Sequence, residues 1–345
     1  MMNFALLGTE LPIIQAPMAG AQLSGLALAV GAAGGLGSLP AAMLSPQALQ
    51  AEMGKLFAGS RRHVNINFFC HAAPVIDHER EGRWVQALQR YYAEFGLTAP
   101  QIGAPPARQP FSEAHADVIE PYAPSIVSFH FGLPGVGLMR RIRSWDAKIF
   151  SSATTVAEAR WLEAHGVDAI IAQGLEAGGH RGHFLSTDIS LQSGTFALLP
   201  QIVAAVKVPV IAAGGIADAH GVRAAMALGA SAVQVGTAFL LCPEAETSAV
   251  HRAALRSAAA SYTDLTNIFT GRPARGILNR AMRELGPMSP LAPAFPLATN
   301  AIAPLRQHAE AKGSGEFSPL WAGQNVRGCR EIPAGELTRE LVRLL

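Results

Sequence analysis

Two short segments in the second half of the chain combine glycine with small or polar side chains. They are Ala213-Gly214-Gly215-Ile216 and Gln234-Val235-Gly236-Thr237. Glycine lets main-chain amides approach an anion with no Cβ in the way, and a helix that begins nearby adds the positive end of its dipole. Thr237 would add a hydroxyl. Tight strand-to-helix turns without a ligand would use the same glycines, but the two segments together favour a phosphate site.

A histidine follows a pair of glycines in the segment Gln173-Gly-Leu-Glu-Ala-Gly178-Gly179-His180. Imidazole is the side chain best suited to move a proton near neutral pH, and the glycines would let a planar ring lie against the main chain. A purely structural histidine is the alternative. The position directly after an apolar run favours an active-site role for His180, whereas the flanking Glu176 and Arg181 fit structural and catalytic roles equally.

Three further segments place polar or stiff residues at the ends of apolar runs. His130 in Ser128–Gly132 fits a second site residue or a histidine at the edge of the core. Asn65 and Asn67 share one face of a strand and need hydrogen-bond partners, either the polar edge of a bound ring or neighbouring main chain. Gln15-Ala16-Pro17-Met18 would form a flat wall, suited to a planar ring or to core packing.

The elements that must position these residues are eight short apolar runs separated by helical patterns. Near-continuous apolar strands are typical of a parallel sheet that is buried on both faces, and eight of them with intervening helices predict a TIM (β/α)₈ barrel. Barrel enzymes build their sites from the loops after the strands, commonly with a phosphate at strands seven and eight. The predicted strands are Ile13–Ala16, Leu36–Leu39, His63–Phe69, Ile126–Phe131, Lys148–Ser151, Ala169–Ala172, Val208–Ala212 and Ala232–Val235.

Helix signals between the strands support this repeating order. Thr155-Val-Ala-Glu158 has the pattern of a capping box, and the helix that it starts should end at Gly166. Asp218 is the predicted N-cap of a second helix, which Gly229 should terminate. Each helix is followed by one of the predicted strands, as expected for consecutive units of a barrel.

Two long insertions interrupt the repeat. Residues 70–124 contain a predicted helix, Gly82–Phe95, and a proline-rich stretch, Ala99–Pro110. Residues 243–300 contain an alanine-rich helix, Ala245–Ala260, and a segment rich in loops. We expect residues 1–242 to form the barrel, the insertions to form a mainly helical cap over the catalytic face, and residues 301–345 to pack on the barrel.

Composition restricts the function and the compartment. Half of the 345 residues are hydrophobic and 15% are charged, which argues against disorder. A net charge of +2 gives no field that would attract nucleic acid or an anionic membrane. The three cysteines show no metal-ligand spacing, so they predict reduced thiols and no metal site. Met1–Glu10 lacks a signal-peptide pattern, and the apolar stretch Leu23–Leu39 is broken by glycines, so we expect a cytoplasmic protein.

Taken together, the motifs resemble those of the nitronate monooxygenase family, formerly called 2-nitropropane dioxygenases. The resemblance spans almost the whole chain, and it is specific as a combination rather than in any single motif. The segments that carry it are Ile13–Gly20, Asn65–Phe69, Gln173–Gly182, Ala212–Asp218 and Gln234–Thr237. Asn67–His71, Ser128–Gly132 and Phe317–Gln324 are most similar to the bacterial class I branch.

The resemblance implies an FMN-containing barrel without a metal, with His180 at the position of the family's active-site histidine. His130 is the second catalytic position that we predict from the residues themselves. Ala16–Met18 would lie against the flavin ring, and Asn67 and Gln173 would bond its polar atoms. The glycines of the two Gly-Gly pairs would line the path of the ribityl chain and phosphate, and Gln234–Thr237 would hold the phosphate. The implied cofactor-binding positions are Ala16, Pro17, Met18, Asn67, Gln173, Gly178, Gly179, Gly214, Gly215, Gln234, Val235, Gly236 and Thr237.

The implied reaction is oxidation of an alkyl nitronate by O₂, through a flavin semiquinone, to a carbonyl product and nitrite. Propionate 3-nitronate is the natural candidate, which would make the role detoxification, in a monomer or homodimer. Its carboxylate would need a cationic or amide partner, for which Arg272, Arg275 and Arg280 are candidates. Enoyl-ACP and quinone reductases that use NAD(P)H share several of these motifs, so reduction of a quinone or an enoyl thioester is the alternative.

Overall fold

A computed structural model of the chain describes residues 6–58, 63–105 and 108–345. Eight parallel strands form a barrel with helices around it, as the sequence predicts. Hydrogen bonding runs in the order β1-β9-β8-β6-β5-β4-β3-β2, and a bridge between Ile14 and Leu36 brings β2 back to β1. The strands of the barrel are β1 (Ile13–Gln15), β2 (Gly37–Pro40), β3 (Val64–Phe69), β4 (Ile126–His130), β5 (Lys148–Ala153), β6 (Ala169–Gln173), β8 (Val210–Ala213) and β9 (Ala232–Val235).

Alternation along the strands separates an inner from an outer core. In β3, Val64, Ile66 and Phe68 point outward into the layer between strands and helices, whereas Asn65 and Asn67 point into the barrel. The lower barrel is filled by a compact apolar cluster. This cluster comprises Leu7, Ile14, Leu36, Ile126, Phe150, Ala169, Ile171, Ile211, Ala213 and Ala232. Polar side chains of the barrel interior are therefore displaced toward its upper, carboxyl end.

Twelve α-helices occur in the described residues, and most of the sequence signals mark their ends correctly. Thr155 accepts from the Glu158 amide, Asp218 accepts from the Gly221 amide, and Gly166 and Gly229 have positive φ just beyond their helices. The helices are α1 (Ser24–Ala32), α2 (Pro46–Phe57), α3 (His78–Phe95), α4 (Glu113–Ile119), α5 (Val136–Arg143), α6 (Val156–Ala164), α7 (Thr195–Ala205), α8 (Ala219–Ala227), α9 (Ala249–Arg256), α10 (Arg280–Leu285), α11 (Ala298–Ala311) and α12 (Ala334–Leu341).

Three local expectations need correction. The Glu158 side chain does not close the predicted capping box, because its carboxylate accepts from the amides of Thr154 and Phe184. The alanine-rich helix ends at Arg256, and a separate 3₁₀ turn covers Ala258–Ser261. The part of the second insertion predicted as loops contains two strands, β10 (Thr263–Thr266) and β11 (Ala274–Ile277), as well as α10.

The two insertions and the C-terminal segment meet above the barrel. Helix α3 packs against α11 in an apolar cluster centred on Trp84, Tyr92 and Phe317. The Trp84 indole donates to the Ala298 oxygen at 3.2 Å, and the Tyr92 hydroxyl donates to the Ala301 oxygen at 2.6 Å. The burial of these large aromatic side chains holds the cap together, and the polar groups of Trp84 and Tyr92 both find main-chain partners on α11.

A small antiparallel sheet connects the barrel to this cap. Its central strand β11 pairs on one side with β10 and on the other with the two-residue strand β7 (Gly179–His180), which lies just beyond β6. His180 is opposite Ala274 and Gly179 is opposite Arg275. This pairing fixes the main chain of His180 from the cap side of the molecule.

Some expected absences concern only part of the chain. The predictions for Met1–Glu10 and Ala99–Pro110 include residues 1–5, 106 and 107, which lie outside the described residues. Cys70, Cys242 and Cys329 are free thiols. Within the described ranges, no group of three or more His, Cys, Asp or Glu could hold a metal ion. No helix among these residues is long and apolar enough to cross a membrane.

Candidate active site

A cavity of about 260 Å³ opens at the carboxyl end of the barrel, between the strand ends and the cap. It brings together nearly all of the sequence-predicted positions. Those that line it are Ala16, Pro17, Met18, Asn67, His130, Gln173, Gly178, Gly179, His180, Gly214, Gly215, Gln234, Gly236 and Thr237. Val235 differs, because its side chain packs in the outer core and its carbonyl accepts from the Ala16 amide at 2.7 Å.

One end of the cavity is a glycine cradle formed by Gly214, Gly215 and Gly236 with Thr237. Gly214 and Gly215 have φ of +118° and +71°, a region that residues with a Cβ rarely adopt. Thr237 begins a 3₁₀ helix, Thr237–Leu241, whose first amides have no partner within the helix. Gln234 adds a buried Oε1 that has no hydrogen-bond partner among the described residues. The cradle therefore offers main-chain donors to an anionic group, and Gln234 Oε1 offers an acceptor to a donor group of the same ligand.

The C-terminal segment closes over this cradle. The Gly323 amide donates to Thr237 Oγ1 at 2.9 Å, and Asn325 Nδ2 donates to the Gly215 oxygen at 2.9 Å. The Gln324 amide donates to the Glu176 oxygen at 3.0 Å. Both cradle loops are thus held together by one stretch of chain, a role that the sequence motifs did not identify.

Two amide side chains have their geometry set by protein contacts. Gln173 Nε2 donates to the His180 oxygen at 2.9 Å, and its Oε1 accepts from the Gly182 amide at 2.8 Å. Asn67 Nδ2 donates to Ser128 Oγ at 2.9 Å, while its Oδ1 accepts no hydrogen bond from the described part of the chain. Asn65 does not line the cavity, because its Nδ2 donates to Ser38 Oγ one layer deeper in the barrel.

His180 lies on the cavity wall inside a shell of aromatic rings. The centroids of Phe69, Phe131, Phe295 and Trp321 are between 5.3 and 6.1 Å from its ring. Its Nε2 is 3.0 Å from Thr270 Oγ1. Burial lowers the pKa of His180 well below its usual value, and four nearby cations or imidazoles act in the same direction: Arg108, His130, Arg272 and His71. The imidazole is therefore neutral at neutral pH.

His130 supports His180 from below. Its Nε2 lies 3.0 Å from the His180 main-chain oxygen, and its Nδ1 lies 2.6 Å from Ser152 Oγ. A carbonyl oxygen can only accept, so Nε2 carries the proton and Nδ1 accepts from the serine hydroxyl. Burial lowers the pKa of His130 to about 3, so this tautomer persists across the physiological range. Because both ring nitrogens of His130 are hydrogen-bonded to protein groups, His130 holds the main chain of His180 in position.

Four arginines differ in their relation to the cavity. Arg108 lines it, although no sequence motif marks this residue. Arg272 lies beside it, with its guanidinium 4.0 Å from the Phe131 ring centroid and hydrogen-bonded to the His183 oxygen. Arg275 donates to the main-chain oxygens of Leu175 and Thr263. Arg280 forms ion pairs at the surface with Glu94 and Glu284.

The two charged residues that flank His180 in sequence both hold the loop in place. Glu176 accepts from the amide and hydroxyl of Thr195. Arg181 is completely buried and donates to the oxygens of Gln173 and Gly174 and to the Gln192 side chain. Their contacts resolve the open alternative in favour of a structural role.

Comparison with known proteins agrees with this architecture. A family model described as nitronate monooxygenase matches residues 2–343. A nitronate monooxygenase of Pseudomonas aeruginosa is 41% identical over 343 residues, which cover 99% of this chain and 97% of that protein. A nitronate monooxygenase of Paraburkholderia phytofirmans is 40% identical over 351 residues, covering 99% and 93% of the two chains.

Two solved structures share the fold at different levels of similarity. Nitroalkane oxidase from Streptomyces ansochromogenes has a TM-score of 0.89 and 37% identity, covering 98% of this chain and 96% of that one. FabK from Thermotoga maritima has a TM-score of 0.73 and 26% identity, with coverage of 98% and 94%. Family match, sequence identity and shared architecture lead to one conclusion: the chain is an oxidoreductase that belongs to the nitronate monooxygenase family.

Proposed function

We propose that this enzyme binds FMN and oxidises alkyl nitronates with O₂, giving a carbonyl product and nitrite. The observation that carries the proposal is that one cavity joins a phosphate-type cradle to a neutral histidine and a buried cation. The cradle suits the anionic end of the cofactor, and His180 with Arg108 suits an anionic substrate.

The residues present fit a flavin phosphate. Gly214, Gly215 and Gly236 leave room for a close approach of main-chain amides, and Thr237 adds a hydroxyl. The unpaired Oε1 of Gln234 is a buried acceptor that a ligand donor would satisfy, which would remove the cost of leaving it without a partner. The Ala16–Met18 wall offers an apolar surface to a ring. FMN, when bound, would supply the exchange of single electrons with the substrate and with O₂.

The protonation state of His180 assigns its part in the reaction. Because its pKa is lowered, the imidazole is neutral and can accept the α-proton of a neutral nitroalkane or donate its N–H to a nitronate oxygen. The positive field for the anionic substrate as a whole then comes from Arg108 and Arg272. Thr270 Oγ1 holds Nε2 in place, and the surrounding aromatic rings limit access of water to the reacting carbon.

The physiological substrate that we propose is propionate 3-nitronate, with detoxification in the cytoplasm as the role. It is small enough for a cavity of about 260 Å³ that is shared with a ring. Its two negative charges match the cavity wall, which includes Arg108. This arginine has no acidic partner in the described residues. Neither nucleic acid nor a membrane is part of this proposal.

The test is oxygen consumption by FMN-loaded protein with propionate 3-nitronate and with the parent nitroalkane, for the wild type and for His180→Asn. His220→Asn, an exposed position on α8, is the matched control. We expect turnover of the nitronate by wild type and control, and a large loss for His180→Asn, above all with the nitroalkane. The assignment fails if His180→Asn changes neither rate.

The reductase alternative has its own experiment. Anaerobic mixing of the protein with NADH or NADPH should leave the flavin absorbance unchanged over the time of one nitronate turnover. Rapid bleaching by either nucleotide, with no oxygen uptake on the nitronate, would overturn the proposed function in favour of NAD(P)H-dependent reduction of a quinone or an enoyl thioester.

A further inference from the structure

Arg108 is set apart from the other arginines near the cavity by its lack of a partner. Its Nη1 is buried and makes no hydrogen bond, and its guanidinium forms no ion pair, within the described residues. By contrast, Arg272 donates to main-chain oxygens and Arg306, which also lines the cavity, is paired with Glu310 at 2.7 Å. Arg108 is thus the arginine of the cavity wall that has a donor left without a partner among the described residues.

A largely buried cation without a partner is destabilising, and the protein offers half-buried Arg108 only partial compensation. Its guanidinium lies 5.5 Å from the centroid of the Phe295 ring, at the outer range of a cation–π contact. Burial lowers the pKa of Arg108 to about 10, so the side chain still carries its charge at neutral pH. Buried charges are usually paired, which indicates that a ligand supplies the missing anion.

The place of Arg108 relative to His180 determines which part of a ligand it could reach. Phe295 is close to both, with its ring centroid 5.3 Å from that of the imidazole and 5.5 Å from the guanidinium. The Arg108 charge is also the second cause, after burial, of the lowered pKa of His180. A substrate whose reacting carbon lies at His180 would therefore meet Arg108 a few bonds further along its chain.

We propose that Arg108 binds a carboxylate on the carbon chain of the nitronate and so makes the enzyme selective for short carboxylated nitronates. The inference rests on the proposed function, since it names the residue that reads the second charge of the substrate. Guanidinium and carboxylate match in a bidentate geometry, which would satisfy Nη1 and place the nitronate at a fixed distance from the ion pair.

The kinetic test compares two substrates that differ in the second charge. Oxygen uptake would be measured with propionate 3-nitronate and with propyl-1-nitronate, for the wild type, Arg108→Met and Arg83→Met. Arg83 is the control, because it is exposed on α3 and pairs only with Glu79 among the described residues. We expect Arg108→Met to lower kcat/KM for the carboxylated nitronate by at least about tenfold, as for loss of a charged hydrogen bond, with less than about threefold change for the other.

Two kinetic outcomes would overturn the inference. Equal losses on both substrates would mean that Arg108 acts on the nitronate group or on the flavin. No loss on either would mean that it is not a substrate contact. Arg108→Lys provides a check on folding, because it keeps the charge and should retain part of the selectivity even if Arg108→Met is unstable.

A binding measurement keeps this inference separate from the proposed function. Succinate has the chain length and the two charges of propionate 3-nitronate but cannot be oxidised as a nitronate, and butanamide has no carboxylate. Titration of the flavin absorbance should show succinate binding at least about tenfold more weakly to Arg108→Met than to the wild type, with butanamide less affected. If no nitronate is oxidised, the proposed function fails, and succinate still decides the role of Arg108: an unchanged affinity overturns it.

Discussion

His130 Nε2 donates to the main-chain oxygen of His180 at 3.0 Å, and Gln173 Nε2 donates to the same oxygen at 2.9 Å. Two side chains, from the ends of β4 and β6, therefore hold the main-chain carbonyl of His180. His180 belongs to the short strand β7, whose edge is paired with β11. The imidazole of His180 is positioned by groups below it and by the cap above it, before any ligand arrives.

Replacement of His130 should separate positioning from proton transfer. His130→Leu removes the donor to the His180 oxygen, and we expect kcat on the nitronate to fall about tenfold or more, because small misplacements of a catalytic group are expensive. His130→Gln keeps an N–H donor and should recover most of the lost activity. Steady-state kinetics with FMN content as the control would check this. A glutamine variant as inactive as the leucine variant would instead assign His130 a role in moving protons.

The barrel and its glycine loops could be predicted because their signals are local. A parallel strand can be recognised from an apolar run of a few residues, and the glycines of the cradle directly follow such strands. Alternation could even have separated Gln234 from Val235, since neighbouring strand residues point to opposite faces and Gln234 lines the cavity. The same two-residue period places Asn65 on the same strand face as Asn67. Asn65 comes two residues earlier in the strand, so it contacts Ser38 deeper in the barrel and does not reach the cavity.

The remainder of the site depends on contacts between distant parts of the chain. Strand β7 has two residues and pairs with β11 almost a hundred residues later, so it has no periodicity to detect. Thr270, Arg108 and Trp321 reach His180 from three separate segments, each rich in glycine or proline, where sequence patterns say little about the final path. Such residues can be identified only after the cap has been placed on the barrel.

Thr237 should be important for retention of the cofactor. Its Oγ1 accepts from the Gly323 amide at 2.9 Å and its main chain belongs to the cradle. Thr237→Val leaves that amide without its acceptor, a penalty of about 1–3 kcal/mol, so we expect the Kd for FMN to rise about tenfold or more. Thr237→Ser keeps the hydroxyl and should bind FMN nearly as well as the wild type. Fluorescence titration of FMN into apoprotein would measure both, and equal affinities for Val and Ser would contradict the role.

Gly178 should be essential for docking of the C-terminal segment. A Cβ at this position would lie 2.6 Å from the Gly323 nitrogen and 2.7 Å from the Ala322 carbonyl carbon, both of which are main-chain atoms. Gly178→Ala should therefore displace residues 322–325, lower the free energy of unfolding by about 1–3 kcal/mol and weaken FMN binding. Gly54→Ala is the control, because nothing lies within 4 Å of its Cβ on α2 and alanine favours a helix. Similar melting temperatures for the two variants would show that residues 322–325 can shift to accommodate the added Cβ without loss of stability.

His71 should contribute to loss of stability in acid. It is buried edge-on against Phe295, and burial lowers its pKa to about 4, whereas an unfolded chain titrates near pH 6.5. As the pH falls from about 6.5 to about 4, the unfolded state binds a proton that the folded state does not, so stability is lost over that range. His71→Leu removes this proton uptake and should reduce the difference in unfolding free energy between pH 7 and pH 5 by about 2 kcal/mol.

Urea unfolding at the two pH values, with the same saturating FMN throughout, would measure the effect of His71→Leu. His220→Leu, which replaces an exposed histidine on α8, is the matched control and should keep the pH dependence of the parent. The difference between the two variants matters more than either value alone, because both add one leucine and remove one imidazole. If His71→Leu lost as much stability between pH 7 and pH 5 as His220→Leu, the buried imidazole would not be the acid-sensitive group.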